Sequence, residues 1–330
     1  MQTKTKIETL NSYQLLSEMC KVRNEQSSFY PLENPITNRV QFIINELENI
    51  GVLYVLDIFD GGRKGTRYKV GFYDALQKIK PKGYDYDFYF SEEYKKLEEQ
   101  YEEEIDLTGK YVNIEVCIPA KNETNQTVMF IAHHDINNVK SENCQDNTAS
   151  VCNLLNFIAE LQDKDLDKNV VVVFTDCEEF GGRGARRLAE KIEQGEFKTV
   201  QFVLNLELTA NGQNIIIENT NEVPLYRQPK KVLVEKCKES NLSNLIKEIC
   251  KRESIGYCFS GMPFNDSMKL RDKKIDSVCI VSLPDNEKEE VIKTGRCKTW
   301  TLCHKEDDTF DKTNEEDMKK IVEFLHHFVE

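Results

Sequence analysis

Val170-Val-Val-Val-Phe174 is apolar without interruption, the mark of a strand buried on both faces, and such strands belong to parallel sheets covered by helices. From Lys110 onward the chain alternates around it. Tyr111 to Ile118 and Thr127 to Ile131 read as strands, and Asp146 to Leu161 as a helix. A helix near 183–194 follows, then strands at Phe202–Leu206 and Asn214–Glu218 and a helix near 242–252. A strand at Ser277–Leu283 and a helix from Glu315 to Val329 complete the series. This alternation predicts an α/β protein with a mixed, mostly parallel central sheet and helices on both faces. Sites in such sheets gather at the carboxyl ends of the strands.

The N-terminal third is less regular. Apolar positions at helical spacing predict helices over 7–24 and 36–50, the second ended by Gly51. Leu53 to Phe59 reads as a strand, Gly61-Gly62 as a turn and Thr66 to Phe72 as its hairpin partner. Within 74–108 lie a tyrosine-rich stretch, Gly83 to Phe90, and an acidic run, Glu98 to Glu104, whose ordinary role is a solvated helix face.

Composition excludes several classes of function. At 330 residues the chain can hold one large α/β domain or two modest ones. A net charge of -13 disfavours nucleic acid, which demands a basic face. No run of eighteen apolar residues suggests a membrane span, and Met1-Gln-Thr-Lys-Thr-Lys lacks the apolar stretch of a secretory signal, so the expected location is cytoplasmic. The eleven cysteines contain no C-x-x-C pair and read as reduced, mostly buried thiols.

The chemistry begins where the apolar strand Val128–Ile131 runs into His133, His134 and Asp135. Four more polar clusters follow: Asp146-Asn147, Asp176-Cys177-Glu178-Glu179, Asn205-Leu206-Glu207, and His304 with Asp308-Thr309. Each has an ordinary reading when taken singly. Asp146 is a suitable helix N-cap, Glu178 and Glu179 a solvated helix start, and His304 a loop residue. Together they supply what two zinc ions about 3.5–4 Å apart require: a bridging carboxylate, two further ligands for each ion, and one carboxylate to take a proton from water. The H-E-x-x-H helix of single-zinc peptidases is absent.

In order and spacing, the His-x-Asp, Asp-Asn, Glu-Glu-Phe-Gly-Gly-Arg-Gly, Asn-Leu-Glu and His-x-x-x-Asp-Thr motifs resemble those of the co-catalytic zinc exopeptidases. That family includes bacterial leucyl aminopeptidases, glutamate carboxypeptidase and, as a single-zinc branch, glutaminyl cyclase. The resemblance runs from Tyr111 to the C-terminus and implies a three-layer sandwich. It further implies one zinc-peptidase domain over 1–330, with 51–108 as an insertion or edge region. Asp146 becomes the bridging ligand, His133 and Glu207 the other ligands of one zinc, and Glu179 and His304 those of the second. Glu178 becomes the general base toward a water bridging the zincs, and Asp135 fixes the tautomer of His133. His134 then points the other way from its neighbours, either supporting a metal ligand or serving the structure alone.

The chain departs from the family at Glu207, where Asp is usual, and at Val151, where a small residue is usual. Ser260 to Ser267 matches the family's substrate loop loosely and offers Asn265 and Asp266 as substrate contacts. The resemblance implies an aminopeptidase acting on peptides. A carboxypeptidase would need a cation near the metals, for which Arg183 and Arg186 are available. A glutaminyl cyclase would keep one zinc, and a non-catalytic relative would have broken ligands. A donor set of nitrogen and oxygen also admits manganese or cobalt.

Overall fold

The computed structural model describes residues 10–22, 34–61, 65–68, 71–79, 91–105, 109–219, 240–294 and 296–329. Its main sheet has the order β1-β4-β6-β5-β7-β10-β8-β9. The strands are β1 (Tyr54–Asp60), β4 (Lys110–Ile118), β5 (Thr127–His133), β6 (Asn169–Thr175), β7 (Val200–Leu206), β8 (Asn214–Glu218), β9 (Tyr257–Ser260) and β10 (Ser277–Leu283). The central strands β6, β5, β7 and β10 are parallel, while β4 and β8 run antiparallel to them on either side. The predicted fold class is borne out. Because β5 pairs with β6 on one side and β7 on the other, the chain changes direction at β5, and a crevice opens at the carboxyl ends there.

Side-chain alternation assigns the two faces. Val128, Phe130 and Ala132 of β5, with Val170, Val172 and Phe174 of β6, pack on one side. There they meet α1 (Ser12–Met19), α2 (Asn38–Ile50), α5 (Ala149–Leu161), α7 (Asn241–Arg252) and α11 (Glu315–His326). Met129, Ile131, Val171 and Val173 point the other way, toward α6 (Arg183–Glu193) and α8 (Asp266–Asp272). Both faces of these strands are covered, which is why they read as unbroken apolar runs. Phe130 stacks edge-on against Phe157 and Phe328, and cutting such a side chain to alanine costs about 3–5 kcal/mol.

A buried ion-pair network fastens α6 to the far edge of the sheet. Lys191 donates to Glu115 of β4 at 2.6 and 2.8 Å, and Arg187 makes a two-pronged contact with Asp57 of β1. The buried Lys191 and Glu115 keep each other as partners, because an unpartnered buried charge would cost several kcal/mol.

Several expectations need correcting. β1 pairs with β4, whereas β2 (Gly65–Tyr68) pairs antiparallel with β3 (Glu102–Ile105) in a separate small sheet, so the predicted local hairpin does not form. Phe72 instead opens α3 (Phe72–Ile79), which packs against α4 (Glu92–Tyr101) through Leu76, Tyr94 and Leu97. The acidic run is divided, since Glu98 and Glu99 lie on α4 and Glu102 to Glu104 on β3. The tyrosine-rich stretch 83–90 and the ends of the first predicted helix lie outside the described residues. The second helix holds as expected, with Thr37 as N-cap and Gly51 left-handed at φ 83°. Short helices α9 (Asp285–Thr294) and α10 (Lys298–Leu302) also stand where the sequence suggested none.

The cysteines are not all free. Cys20, at the end of α1, is bonded to Cys144, 124 residues away, while eight others are free thiols among the described residues. Closing so long a loop restricts the unfolded chain most, a contribution of about 3–5 kcal/mol. Thiol titration of the unfolded protein is expected to find two fewer thiols before reduction than after. Cys20→Ser should lower the urea midpoint by a corresponding amount, and an unchanged midpoint would contradict this account.

Candidate metal centre

The crevice collects its side chains from five places. β5 ends in His133, the turn after β6 carries Glu178 and Glu179, β7 runs into Glu207, and the loop after α10 carries His304. Asp146 lies between β5 and α5 in a π-turn (Cys144–Thr148) and is not helical, with φ -112° and ψ 92°. The predicted helix start at Asp146 therefore moves to Ala149. The Asp146–Asn147 peptide is cis.

Asp146 reaches both imidazoles. Its Oδ1 lies 3.3 Å from His133 Nε2 and its Oδ2 3.4 Å from His304 Nε2. Glu207 Oε2 is 3.3 Å from the same nitrogen of His133, and Glu179 Oε2 is 2.9 Å from that of His304. Two half-sites thus share one carboxylate. Metal bonds of about 2.0–2.1 Å in a tetrahedral site separate neighbouring ligand atoms by about 3.3–3.4 Å, so the three longer spacings match donors that share an ion, while Glu179 and His304 stand at hydrogen-bond distance. Glu179 Oε1 is buried with no hydrogen-bond partner, an oxygen left for a cation. The donor set of imidazole nitrogens and carboxylate oxygens fits a divalent metal.

The electrostatics agree. Burial pushes Glu178 well above the usual carboxylate range and also raises Glu179 and Glu207, with their acidic neighbours adding to the effect. Burial raises Asp266 and Asp308 each to about 7. Burial likewise opposes ionisation of Asp146, but its hydrogen bond to His133 and the two imidazole charges outweigh it and lower its carboxyl. So much negative charge in a dry crevice calls for cations.

Surrounding groups fix the geometry. Asp135 Oδ1 lies 3.2 Å from His133 Nδ1, and its two oxygens accept the backbone N–H groups of Glu178 and Glu179 at 3.1 and 3.2 Å. One carboxylate therefore ties the end of β5 to the turn after β6. His134 instead contacts the backbone carbonyl of Val112 through Nε2, at 2.9 Å, and burial lowers its imidazole to about 4, which makes it a neutral structural group. Asp308 accepts the N–H groups of Gln145 and Asp146 at 2.7 and 3.1 Å. Asn147 donates to Leu206 O and accepts from Leu208 N, joining the π-turn to the end of β7.

The glycines after Glu179 have a steric cause. A Cβ on Gly184 would stand 2.4 Å from Asp176 O and 2.5 Å from Asn113 Oδ1. Gly181 and Gly182 have left-handed backbones, with φ 87° and 64°.

Asp266 is fully buried at the same crevice. Its Oδ2 accepts from Thr175 Oγ1, its Oδ1 has no partner, and it interacts electrostatically with His133 and Glu207. Asn265 is committed elsewhere: it caps α8 through Ser267 N and donates to Glu218 and Pro263. Arg183 sits 5.7 Å from the Phe180 ring centroid, and Arg186 is exposed. The thiol of Cys303 lies near Asp146 and helps lower its carboxyl; nothing in its sequence surroundings signals this. Asn147 was legible as part of a motif, but its tie to β7 was not.

Fold and donor set together define an α/β protein with a metal-binding crevice where its central sheet changes direction. The chain belongs to peptidase family M28, whose model matches residues 113–329, and the resemblance read from the motifs is borne out. It is therefore a peptidase, a hydrolase, by family. Among solved structures it is similar to BSAP, a zinc aminopeptidase from Bacillus subtilis, at 10% identity and TM-score 0.65, over 96% of this chain and 93% of that one. An aminopeptidase from Aneurinibacillus sp. strain AM-1 aligns at 11% identity and TM-score 0.64, over 96% and 92%. A Bacteroides thetaiotaomicron glutaminyl cyclase aligns at 14% identity and TM-score 0.59, over 97% and 96%. At these identities the likeness is one of fold. A search of curated proteins finds no match.

The histidines predict how metal uptake depends on pH. Burial lowers the His304 imidazole, but the charges of Glu179 and Asp146 and a hydrogen bond outweigh it and raise it to about 9. In His133, burial is likewise overcome by Glu207, Asp135 and Asp146, and the imidazole stands well above its ordinary value. Without metal both rings hold protons at neutral pH, and a metal ion must displace them. Binding should release protons at pH 7, and affinity should rise with pH at least as far as about 9. Calorimetry in two buffers of different ionisation enthalpy would count the protons, and an affinity unchanged between pH 6 and 9 would refute the assignment.

Proposed function

We propose that the chain is a zinc-dependent aminopeptidase that removes residues from the N-terminus of peptides. The observation that carries this reading is the sharing of Asp146 between His133 and His304, with Glu207 and Glu179 completing the two half-sites. In this reading Asp146 bridges, His133 and Glu207 hold one zinc, and Glu179 and His304 hold the other. Bound zinc would polarise the scissile carbonyl and lower the pKa of a water molecule into the neutral range.

The protein's own groups do the rest. Glu178 accepts the proton of the attacking water and delivers it to the departing amine; burial raises its carboxyl, which favours its taking up that proton. Asp135 keeps the Nδ1 proton of His133 on the side away from the metal and holds the backbone of Glu178 and Glu179 in place. The extra methylene of Glu207 is steadied by Asn205, whose Nδ2 donates to Oε1 at 3.2 Å. The acidity of the crevice favours a substrate with a free ammonium group over one that presents its carboxylate. It also favours peptides over nucleic acid as partners.

A second reading, glutaminyl cyclisation, is favoured by the fold likeness to the Bacteroides thetaiotaomicron and Porphyromonas gingivalis glutaminyl cyclases. Against it stands the second half-site, since a single-zinc enzyme has no need of both imidazoles.

Elemental analysis and a panel of aminoacyl chromogenic substrates test the proposal together. Two zinc ions per chain are expected, and Glu178→Gln should keep both while lowering kcat by about 10²–10⁴-fold. One metal with cyclisation of N-terminal glutamine would move the chain to the second reading. A wild type that binds no metal would sink both.

A further inference from the structure

Arg39 lies on α2, ahead of the residues that the family model matches. Its side chain is buried, at 5% exposure. Nε donates to His134 O at 3.3 Å, between His133 and Asp135, and Nη2 donates to Thr148 Oγ1 at 2.7 Å, two residues beyond Asp146. The Thr148 hydroxyl in turn donates to Asn143 O at 2.5 Å, on the near side of the π-turn. One guanidinium thus fastens the end of β5 to the turn that carries Asp146. It also interacts electrostatically with Asp135 and Asp308, the carboxylates that orient His133 and receive the N–H of Asp146.

A buried arginine is costly, and an apolar side chain would anchor α2 at less expense. Burial lowers this guanidinium to about 10, and Nη1 has no hydrogen-bond partner. Its two hydrogen bonds both lead to segments that carry the crevice residues.

We propose that Arg39 is a positioning residue of the metal centre, setting the separation of His133 from Asp146 and supplying the cation behind Asp135 and Asp308. The inference rests on the reading that His133 and Asp146 bind metal. It makes an element outside the family-matched region part of the metal-binding apparatus, and it predicts an effect on metal affinity beyond any effect on folding.

A solvent-open pocket of about 40 Å³ adjoins Arg39, lined also by Thr37, Lys110, Tyr111 and Asp176. Through it a small cation can reach the space that Arg39→Ala leaves, which makes chemical rescue the decisive test. Zinc affinity would be measured by competition with a chromogenic chelator, beside the thermal midpoint of the metal-free protein. Arg39→Ala is expected to bind zinc about 10–100-fold more weakly, with affinity partly restored by millimolar guanidinium and not by tetramethylammonium at equal ionic strength. Arg39→Lys, which keeps the charge and can keep only part of the fork, should fold normally and fall between the two. Wild-type affinity in Arg39→Ala or Arg39→Lys would overturn the inference, as would a loss that follows the thermal midpoint and ignores guanidinium. A wild type that binds no zinc would overturn this inference together with the reading beneath it.

Discussion

The carboxylate of Asp146 stands between two imidazoles, and the rest of the crevice is arranged to keep it there. Its backbone N–H is held by Asp308, and Asn147 clasps both sides of Leu206-Glu207-Leu208. Each contact fixes the π-turn to a different part of the fold, so a shift in any of these segments would move an oxygen that both half-sites use. The raised carboxyls of Glu178, Glu179 and Glu207 measure the imbalance that divalent cations would relieve.

That arrangement depends on the reversal of chain direction at β5. With β6 on one side and β7 on the other, three neighbouring carboxyl ends deliver His133, Glu178-Glu179 and Glu207 to one place. The buried alternation of each strand fixes its register, since a slip of one residue would exchange the two faces. The precision of the site is thus inherited from the core. Asp135, which touches both His133 and the Glu178-Glu179 backbone, transmits that precision from one strand end to the next.

Much of this was legible in the sequence because it is local. An apolar run such as Val170–Phe174 names its environment, and a ligand at the end of such a run names its position. Pairings between distant segments left no local mark. β1 joined β4 when a hairpin with the next segment was the nearer choice, and Cys20 met Cys144 across most of the N-terminal half. Asp146 could be read as an N-cap because an acid before a helix is the usual cap, whereas a π-turn has no spacing of its own. Asn265 was drawn to the substrate by its loop and is held instead by Glu218 and the start of α8. Arg39 sits on an ordinary amphipathic helix, and only the fold brings it behind His133 and Asp146.

The sheet order also carries a consequence for biosynthesis. β10 lies between β7 and β8, although it is made after both, and His304 comes later still. A chain emerging from the ribosome can present His133, Asp146 and Glu207 while the central sheet still lacks an interior strand and one half-site lacks its imidazole. The crevice is therefore completed only once β10 and the loop carrying His304 have both been made, so its two half-sites are finished at different times.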